Sequence, residues 1–216
     1  MHIVIFAGGT VQPGSAVNTA LARAAMVIAA DNGAVIALRY GFTPAIVVGD
    51  FDSLTIPRSE LEAKGCRLIS AAVEKNETDT ELAVQIAIEQ GANEITILGA
   101  TGGARFDHTI ANILLLAGVE AVPLRIVDGP MTCWLLRGPG STTVTGSKGD
   151  LLSLFPLTTD ATGIRTTGLY YPLHDETLFF GRPRGVSNAL TDDKAEVTLE
   201  HGMLLIIHTN KRELKE

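Results

Sequence analysis

Acidic side chains follow several apolar segments in the first half of the chain. Asp31, Asp50 and Asp52 come directly after short runs of valine, isoleucine and alanine, and Asp79 begins a helix-length segment. If the turn around Asp50 and Asp52 is extended, their carboxylates project the same way, because side chains two residues apart share a face. Carboxylates that converge repel one another, and a hard cation such as Mg²⁺ relieves that repulsion. The pattern predicts a magnesium site that faces a phosphate chain.

Each acid also has an ordinary structural explanation. Asp31 precedes Asn32 and a glycine, a combination that is typical of turns. Asp79 falls in the first turn of a predicted helix, where a carboxylate stabilises the helix dipole whether or not it binds a ligand. The pair formed by Asp50 and Asp52 favours a function more strongly, because structural turns seldom need two carboxylates side by side.

A second polar group precedes a predicted helix. Gly102 and the glycine after it lead into Arg105, Asp107 and His108. The N–H groups of a helix N-terminus bind phosphate well when an arginine lies nearby. The alternative is a surface ion pair between Arg105 and Asp107, with Asp107 as the helix N-cap. Taken singly, His108 is better explained as a structural hydrogen-bonding group, with Asn112 one turn later as its partner.

Alternating strands and helices must position these polar groups. Continuous apolar runs separated by helix-length segments are typical of a parallel sheet covered on both faces. The carboxyl ends of such strands meet at one edge of the sheet, where ligands bind. We expect an N-terminal Rossmann-like α/β domain with helices on both faces. Its predicted strands are Ile3–Phe6, Met26–Ala30, Ala45–Val48, Arg67–Ala71, Glu94–Leu98 and Leu124–Val127.

The pattern changes after Asp128. Short alternating stretches replace the helical periodicity, which favours a C-terminal all-β sandwich domain. Residues 142–149 are either a linker or the first strand of that domain. We place the boundary near Met131, so that the domains are 1–130 and 131–216. The predicted strands are Leu151–Phe155, Gly163–Thr167, Ala195–Leu199 and Met203–His208, the last two joined by a hairpin turn at Glu200–Gly202.

The composition excludes several classes of protein. The 216 residues carry a formal net charge of -7, which argues against a nucleic-acid-binding face. No apolar run approaches the ~18–20 residues of a membrane span, and the N-terminus lacks the basic flank of a signal peptide. Cys66 and Cys133 lack zinc-ligand spacing and fit a reducing compartment. We therefore expect a cytoplasmic protein that binds neither nucleic acid nor membranes.

A series of motifs runs along nearly the whole chain. The motifs are Ala30–Ala34, Gly41–Pro44, Val48–Leu54, Glu74–Asp79, Leu98–His108 with Asn112, Ser153–Leu157, Gly168-Leu169 with Pro172-Leu173, and Gly185–Asn188. In its order and spacing this series resembles the thiamine pyrophosphokinase family. Two positions depart from the family pattern. Asn76 stands where members often carry an aspartate, and Ala189 follows Asn188 where some relatives place an aromatic residue.

The resemblance implies an enzyme that transfers a diphosphate from ATP to the hydroxyl of thiamine, giving thiamine diphosphate and AMP with the help of Mg²⁺. It also implies an ATP-binding catalytic domain over residues 1–130. Residues 131–216 would then form a sandwich that binds thiamine and dimerises, so that a homodimer shares its sites between subunits.

The same resemblance assigns roles to individual residues. Asp50, Asp52 and Asp79 correspond to the acids linked to the metal, and they form the catalytic set together with Arg105. As a separate hypothesis of mechanism, either Asp50 or Asp52 would also accept the hydroxyl proton, and the sequence does not separate this role from that of a metal ligand. Ser187, Asn188 and Asp50 would contact thiamine. The residues implied around ATP are Asp31, Asn32, Thr78, Gly102, Arg105, Asp107 and His108.

Two other functions use similar residues. A magnesium-dependent phosphohydrolase or nucleotidyl transferase also places paired aspartates at strand ends, but it forms product without thiamine. A regulator that binds nucleotide or thiamine without catalysis is a third hypothesis. The number of unpaired acids argues against it, because a sensor has no need of them.

Overall fold

The computed structural model describes residues 1–214. By their internal contacts the residues divide into two compact units, Met1–Gly129 and Pro130–Glu216. Among the described residues, no helix is long and apolar enough to cross a membrane.

The first unit has six strands and five helices among its described residues. The strands are β1 (His2–Phe6), β2 (Met26–Ala30), β3 (Ile46–Gly49), β4 (Arg67–Ser70), β5 (Glu94–Leu98) and β6 (Leu124–Asp128). The helices are α1 (Ser15–Ala22), α2 (Gly33–Arg39), α3 (Arg58–Ala63), α4 (Asp79–Glu89) and α5 (Phe106–Gly118). The strands pair in parallel, in the order β6, β5, β1, β2, β3, β4. The predicted parallel sheet is therefore confirmed.

Burial explains why the strands could be found as continuous apolar runs. All five residues of β1 are buried, and Ile5 pairs with Ile28 of β2 on one side and Ile97 of β5 on the other. Strands in the middle of a parallel sheet have no solvent-facing side, so they do not alternate. The edge strand β4 differs, because Arg67 and Ser70 at its ends are exposed.

The helices α4 and α5 begin directly after Thr78 and Arg105, two residues of the candidate site. The Thr78 hydroxyl accepts a hydrogen bond of 3.1 Å from the Glu81 N–H, which satisfies one free donor at the start of α4. The prediction that Asp107 caps α5 is wrong. The N-cap position belongs to Arg105 and Asp107 lies in the first turn, where its carboxylate binds the Arg105 guanidinium.

The second unit contains strands and one short 3₁₀ helix (Lys211–Glu213) among its described residues. Its strands form two antiparallel sheets, one in the order β12, β9, β14, β7 and the other in the order β11, β10, β13, β8. These strands are β7 (Met131–Arg137), β8 (Gly140–Thr145), β9 (Leu151–Pro156), β10 (Asp160–Thr167), β11 (His174–Phe179), β12 (Asn188–Ala189), β13 (Lys194–Leu199) and β14 (Met203–Thr209).

Buried and more exposed residues alternate along strands of these two sheets. The burial of β13 alternates along its length, as expected for strands with one apolar face. Leu152 and Ile206 of the first sheet share a hydrophobic cluster with Ile164 and Val197 of the second. Thr142–Thr145 belong to β8, so the segment for which a linker was considered begins as a strand.

The predicted hairpin at Glu200–Gly202 is wrong. β13 pairs with β8 and β10, whereas β14 pairs with β7 and β9. The connection passes between sheets, and its main chain bonds to other segments. The N–H groups of Glu200 and His201 both donate to the carbonyl of Thr162, and Gly138 donates to the carbonyl of Gly202.

Candidate active site

A cleft of about 450 Å³ opens where the parallel strands end. β2, β3 and β4 lie on one side of β1, whereas β5 and β6 lie on the other, so the order of the strands switches between β1 and β5. Ligands of open α/β sheets bind at such a switch point. The cleft brings together nine of the predicted site residues, while Asp107 is not part of its lining and Ser187 and Asn188 belong to the second unit. The nine are Asp31, Asn32, Asp50, Asp52, Thr78, Asp79, Gly102, Arg105 and His108.

Three carboxylates form a compact cluster in this cleft. Asp31, Asp50 and Asp79 each offer one oxygen, and these oxygens lie within 4.8 Å of one another. Asp52 lines the same cleft but is exposed and lies outside this cluster. The implied metal ligands were Asp50, Asp52 and Asp79, so the geometry favours Asp31 in the place of Asp52.

The backbone at Phe51 explains the difference. Its φ of 65° lies in the left-handed region, so the turn is not extended and the argument that Asp50 and Asp52 project together does not apply. The Phe51 side chain is buried in the core of the first unit. The Asp52 N–H instead donates a hydrogen bond of 3.1 Å to Oδ1 of Asp50. Because the Phe51 side chain packs into the core with a left-handed backbone, the carboxylates of Asp50 and Asp52 point in different directions.

Asp31, which follows β2, is partly buried. The Ser53 hydroxyl donates to Oδ2 of Asp31, whereas Oδ1 is buried without a hydrogen-bond partner among the described residues. Burial raises the pKa of Asp31, the hydrogen bond from Ser53 opposes this, and the nearby charges, with Asp79 first, raise it further. A buried carboxylate oxygen without a donor is costly unless a cation completes its environment. The cluster therefore fits a hard divalent cation.

Lys75 lies against this cluster. Its ammonium nitrogen is 2.9 Å from Oδ1 of Asp79 and donates a bond of 3.1 Å to the carbonyl of Ala72. The sequence placed Lys75 in the turn before α4 but gave it no role. The spacing of four residues between Lys75 and Asp79 was the available signal, because oppositely charged residues four apart often pair at helix ends.

The Arg105 guanidinium binds the Asp107 carboxylate through two nitrogens. Nε lies 2.9 Å from Oδ1 of Asp107, and Nη2 lies 2.6 Å from Oδ2. The guanidinium lowers the pKa of Asp107 to about 2. Both side chains are well exposed, so the surface pair considered from the sequence is present, while Arg105 also lines the cleft. The Asn112 amide donates 2.8 Å to the carbonyl of Ala100, and this bond supports the turn before α5.

Part of the cleft lining is main chain, contributed by glycines that follow β1 and β5. Gly9 donates a hydrogen bond of 3.0 Å to the carbonyl of Gly99, joining the turn after β1 to the turn after β5. A Cβ atom at Gly9 would lie 2.5 Å from that carbonyl oxygen, and a side chain therefore cannot be accommodated without moving the backbone. The close approach of Gly9 to Gly99 was not predicted from the sequence.

In the second unit, the Asn188 amide bonds to the main chain of Tyr171 through both its oxygen and its nitrogen. Oδ1 of Asn188 accepts 3.0 Å from the Tyr171 N–H, and Nδ2 donates 2.7 Å to the Tyr171 carbonyl. Ser187 has a φ of 58°, and its N–H donates to the Ser153 hydroxyl. The rings of Tyr170 and Tyr171 meet edge to face at 4.8 Å and are exposed. Asn188 therefore positions an aromatic pair.

Comparisons with known proteins agree along the chain. Residues 17–127 match the family model described as thiamin pyrophosphokinase, catalytic domain, and residues 141–204 match the model described as thiamin pyrophosphokinase, vitamin B1 binding domain. Thiamine pyrophosphokinase of Bacillus subtilis is 31% identical over 186 residues, covering 84% of this chain and 86% of that protein.

Solved structures show the same fold. The crystal structure of thiamine pyrophosphokinase from Bacillus subtilis superimposes with a TM-score of 0.85 at 29% identity, covering 98% of this chain and all of that one. The structure of thiamin pyrophosphokinase from Geobacillus thermodenitrificans has a TM-score of 0.83 at 28% identity, covering 99% of this chain and all of that one. The chain belongs to the thiamine pyrophosphokinase family of enzymes.

Proposed function

We propose that this chain transfers the diphosphate group of ATP to the hydroxyl of thiamine, giving thiamine diphosphate and AMP. The observation that carries the proposal is the cluster of Asp31, Asp50 and Asp79 in one cleft with Arg105. Acids and an arginine around one space suit a metal-bound polyphosphate, and the membership of the enzyme family supports thiamine as its acceptor.

We propose Mg²⁺ as the cofactor. Asp50 and Asp79 are common to the implied ligand set and the geometric cluster, and Asp31 adds a buried oxygen without a donor. When bound, the ion supplies positive charge that offsets the charge of the phosphates. Asp52 then remains as a carboxylate of the same cleft outside the cluster.

The side chains of the cleft would mainly position the substrates and neutralise their charge. Arg105 lies at the N-terminus of α5 and is the candidate for charge that develops on the transferred group. Thr78, Asn32, Gly102 and His108 line the same space, and Asp107 orients Arg105. Asp52 is our candidate for the acceptor of the hydroxyl proton, because Asp50 belongs to the metal cluster. The thiamine oxygen attacks the β-phosphorus in line with the departing AMP oxygen.

The second unit is proposed to bind thiamine through Ser187 and Asn188, with the neighbouring Tyr171 ring as an apolar surface. Support comes from the match of residues 141–204 to a vitamin B1 binding domain model and from the exposed aromatic pair beside Asn188. We describe this domain as a β-sandwich, because both of its sheets contribute to one hydrophobic cluster, and the first domain as Rossmann-like.

We further propose a homodimer that shares its sites between subunits. Phe106, Ile110 and Leu114 lie on one side of α5, four residues apart, and all three are exposed in the single chain. Exposed apolar stripes of this kind mark interaction surfaces. A cytoplasmic location is proposed as well, supported by the two buried thiols Cys66 and Cys133, which form no disulfide.

Product analysis tests the function. The purified protein is incubated with thiamine, ATP and Mg²⁺, and the nucleotides and thiamine species are separated by chromatography. Equimolar thiamine diphosphate and AMP are expected. Thiamine monophosphate with ADP would indicate a simple kinase, loss of ATP without thiamine would indicate a hydrolase, and binding without turnover would indicate a regulator.

Two aspartate variants separate the proposed roles. Asp52→Asn is expected to lose most turnover while it keeps the stabilisation of the fold by Mg²⁺. Asp50→Asn is expected to lose both. Near-normal turnover of Asp52→Asn would remove Asp52 from the mechanism, and loss of the magnesium response in that variant would return it to the metal ligands.

A further inference from the structure

Lys75 is held inside the candidate site by two contacts. Its ammonium lies 2.9 Å from Oδ1 of Asp79 and 3.1 Å from the carbonyl oxygen of Ala72. The Lys75 side chain is only 15% exposed, and that of Asp79 is 25% exposed. An ion pair screened from water to this degree is stronger than a surface pair, because less solvent competes with it.

The charges around Lys75 are mostly negative. The close contact with Asp79 and the charges of Asp79, Asp50 and Asp31, in that order, raise the pKa of Lys75 against the effect of burial. Among the described residues that line the cleft, the other arginine or lysine is Arg105, which is paired with Asp107. Of these two lining cations, Lys75 is the one that pairs with an acid of the cluster.

We propose that Lys75 is the resident counter-ion of the acid cluster and competes with the divalent cation for Asp79. The inference rests on the proposed magnesium site and deepens it. In the metal-free protein the ammonium holds Asp79 beside Asp31 and Asp50. A cation that uses the same Asp79 carboxylate must replace that ion pair, so the pair lowers the affinity of the empty cleft for metal.

Removing the Lys75 charge has two opposite consequences under this proposal. Without metal, Asp31, Asp50 and Asp79 repel one another with nothing to offset the repulsion, so the fold loses stability. With metal, the ion no longer competes with an ammonium, so it binds more tightly. A lysine that merely anchored the loop would lower stability with and without metal and leave the affinity unchanged.

The test uses Lys75→Gln and titration with MgCl₂ alone, with thermal unfolding as the readout and no thiamine or ATP. The variant is expected to unfold at a lower temperature in EDTA and to bind Mg²⁺ about threefold to tenfold more tightly than the wild type, the range expected for loss of a partly buried ion pair. Lys64→Gln is the matched control, because its pair with Glu60 at 3.9 Å is exposed and lies at the C-terminal end of α3. It should change neither quantity.

An unchanged or weaker magnesium affinity in Lys75→Gln would overturn the counter-ion role while leaving the magnesium site in place. A wild-type protein that gives no magnesium response would overturn both. If Lys75→Gln fails to fold, the wild type labelled with ¹³C at the lysine Cε answers the question, with Lys75→Arg to assign the signal. The Lys75 signal is expected to shift as Mg²⁺ saturates, and a signal that stays fixed would contradict the proposal.

Discussion

Arg58 lies over the ring of Phe51, with the guanidinium carbon 4.5 Å from the ring centre. Its Nη2 also donates 3.0 Å to the carbonyl of Asp50. The first residue of α3 thus holds the turn that carries Asp50 and Asp52 from two sides. Phe51 adopts a left-handed backbone that a bulky residue rarely takes, and such a conformation persists only when its surroundings enforce it.

Arg58→Ala should therefore loosen this turn. The expected loss is about 1 kcal/mol of unfolding free energy, the scale of an exposed cation–π contact with a hydrogen bond, measured by denaturant unfolding. The apparent affinity for Mg²⁺ should fall as well, because Asp50 is no longer fixed. Arg58→Met keeps apolar cover over Phe51 but lacks the donor to Asp50, and it should fall between the two proteins. Equal magnesium affinity in all three would show that Arg58 has no positioning role.

Asp31→Asn should change how stability depends on pH. Burial raises the pKa of Asp31 above its ordinary 3.8. A raised pKa means that the folded state binds the proton more tightly than the unfolded state, so stability is lost as pH rises from 3.8 through the raised value. The asparagine variant cannot ionise, and asparagine tolerates the φ of 47° at this position.

In EDTA, then, Asp31→Asn should be more stable than the wild type at neutral pH and should lack the decline above 3.8. Melting temperatures across this range provide the measurement. The variant should also lose stabilisation by Mg²⁺, since it lacks the buried carboxylate oxygen. A pH profile parallel to that of the wild type would contradict the assigned environment of Asp31.

Arg105→Gln should release Asp107. The pKa of the Asp107 carboxyl, held at about 2 by the guanidinium, should return toward its ordinary 3.8. The stabilisation linked to this depressed pKa is present above 3.8 and lost as pH falls toward about 2, so the variant should lack it at neutral pH and match the wild type at about pH 2. The loss should be small, because both side chains are exposed and solvent screens the pair. Carboxyl ¹³C shifts of Asp107 through an acid titration measure the change.

The same variant should lose turnover by about a hundredfold or more if Arg105 stabilises charge on the transferred group, the scale of one such donor. Arg23→Gln is the control, because Arg23 forms an ion pair of 2.6 Å with Glu94, which is absent from the cleft lining. It should turn over normally. Equal turnover of both variants would exclude Arg105 from the mechanism.

Gly33→Ala should destabilise the first unit. Gly33 begins α2, and a Cβ atom there would lie 2.0 Å from the carbonyl oxygen of Phe6. Backbone must move to admit it, which costs about 1–3 kcal/mol. Gly118→Ala in α5 meets nothing within 4 Å and should be neutral or slightly stabilising. Denaturant unfolding of both variants provides the comparison, and similar stabilities would disprove the close approach of Gly33 to β1.

The sequence predicted the parallel strands well because their burial on both sides leaves continuous apolar runs. It also placed most of the cleft, since carboxyl ends of parallel strands share an edge. The directions of individual side chains were harder to predict from the sequence. Asp50 and Asp52 were expected to converge, but the left-handed turn at Phe51 depends on core packing and on Arg58, which lies seven residues beyond it.

Connections between sheets were also beyond local reasoning. Glu200–Gly202 has the composition of a hairpin turn, and the bonds that decide its path come from Thr162 and Gly138, both far away in the chain. The pairing of Asn188 with Tyr171 is similar, because it joins residues 17 positions apart through main-chain atoms. Neither leaves a periodic signal in the sequence.

Because Gly9 contacts Gly99, the two sides of the cleft differ in how readily they can accept substitutions during evolution. The acid side is built from side chains, so single substitutions can alter its charge and its preference for a ligand. At Gly9 and Gly99 the lining presents only peptide groups, and a Cβ at Gly9 would clash with the Gly99 carbonyl. New specificity in a protein of this design would therefore arise on the side of Asp31 and Lys75, while the opposite side stays constant.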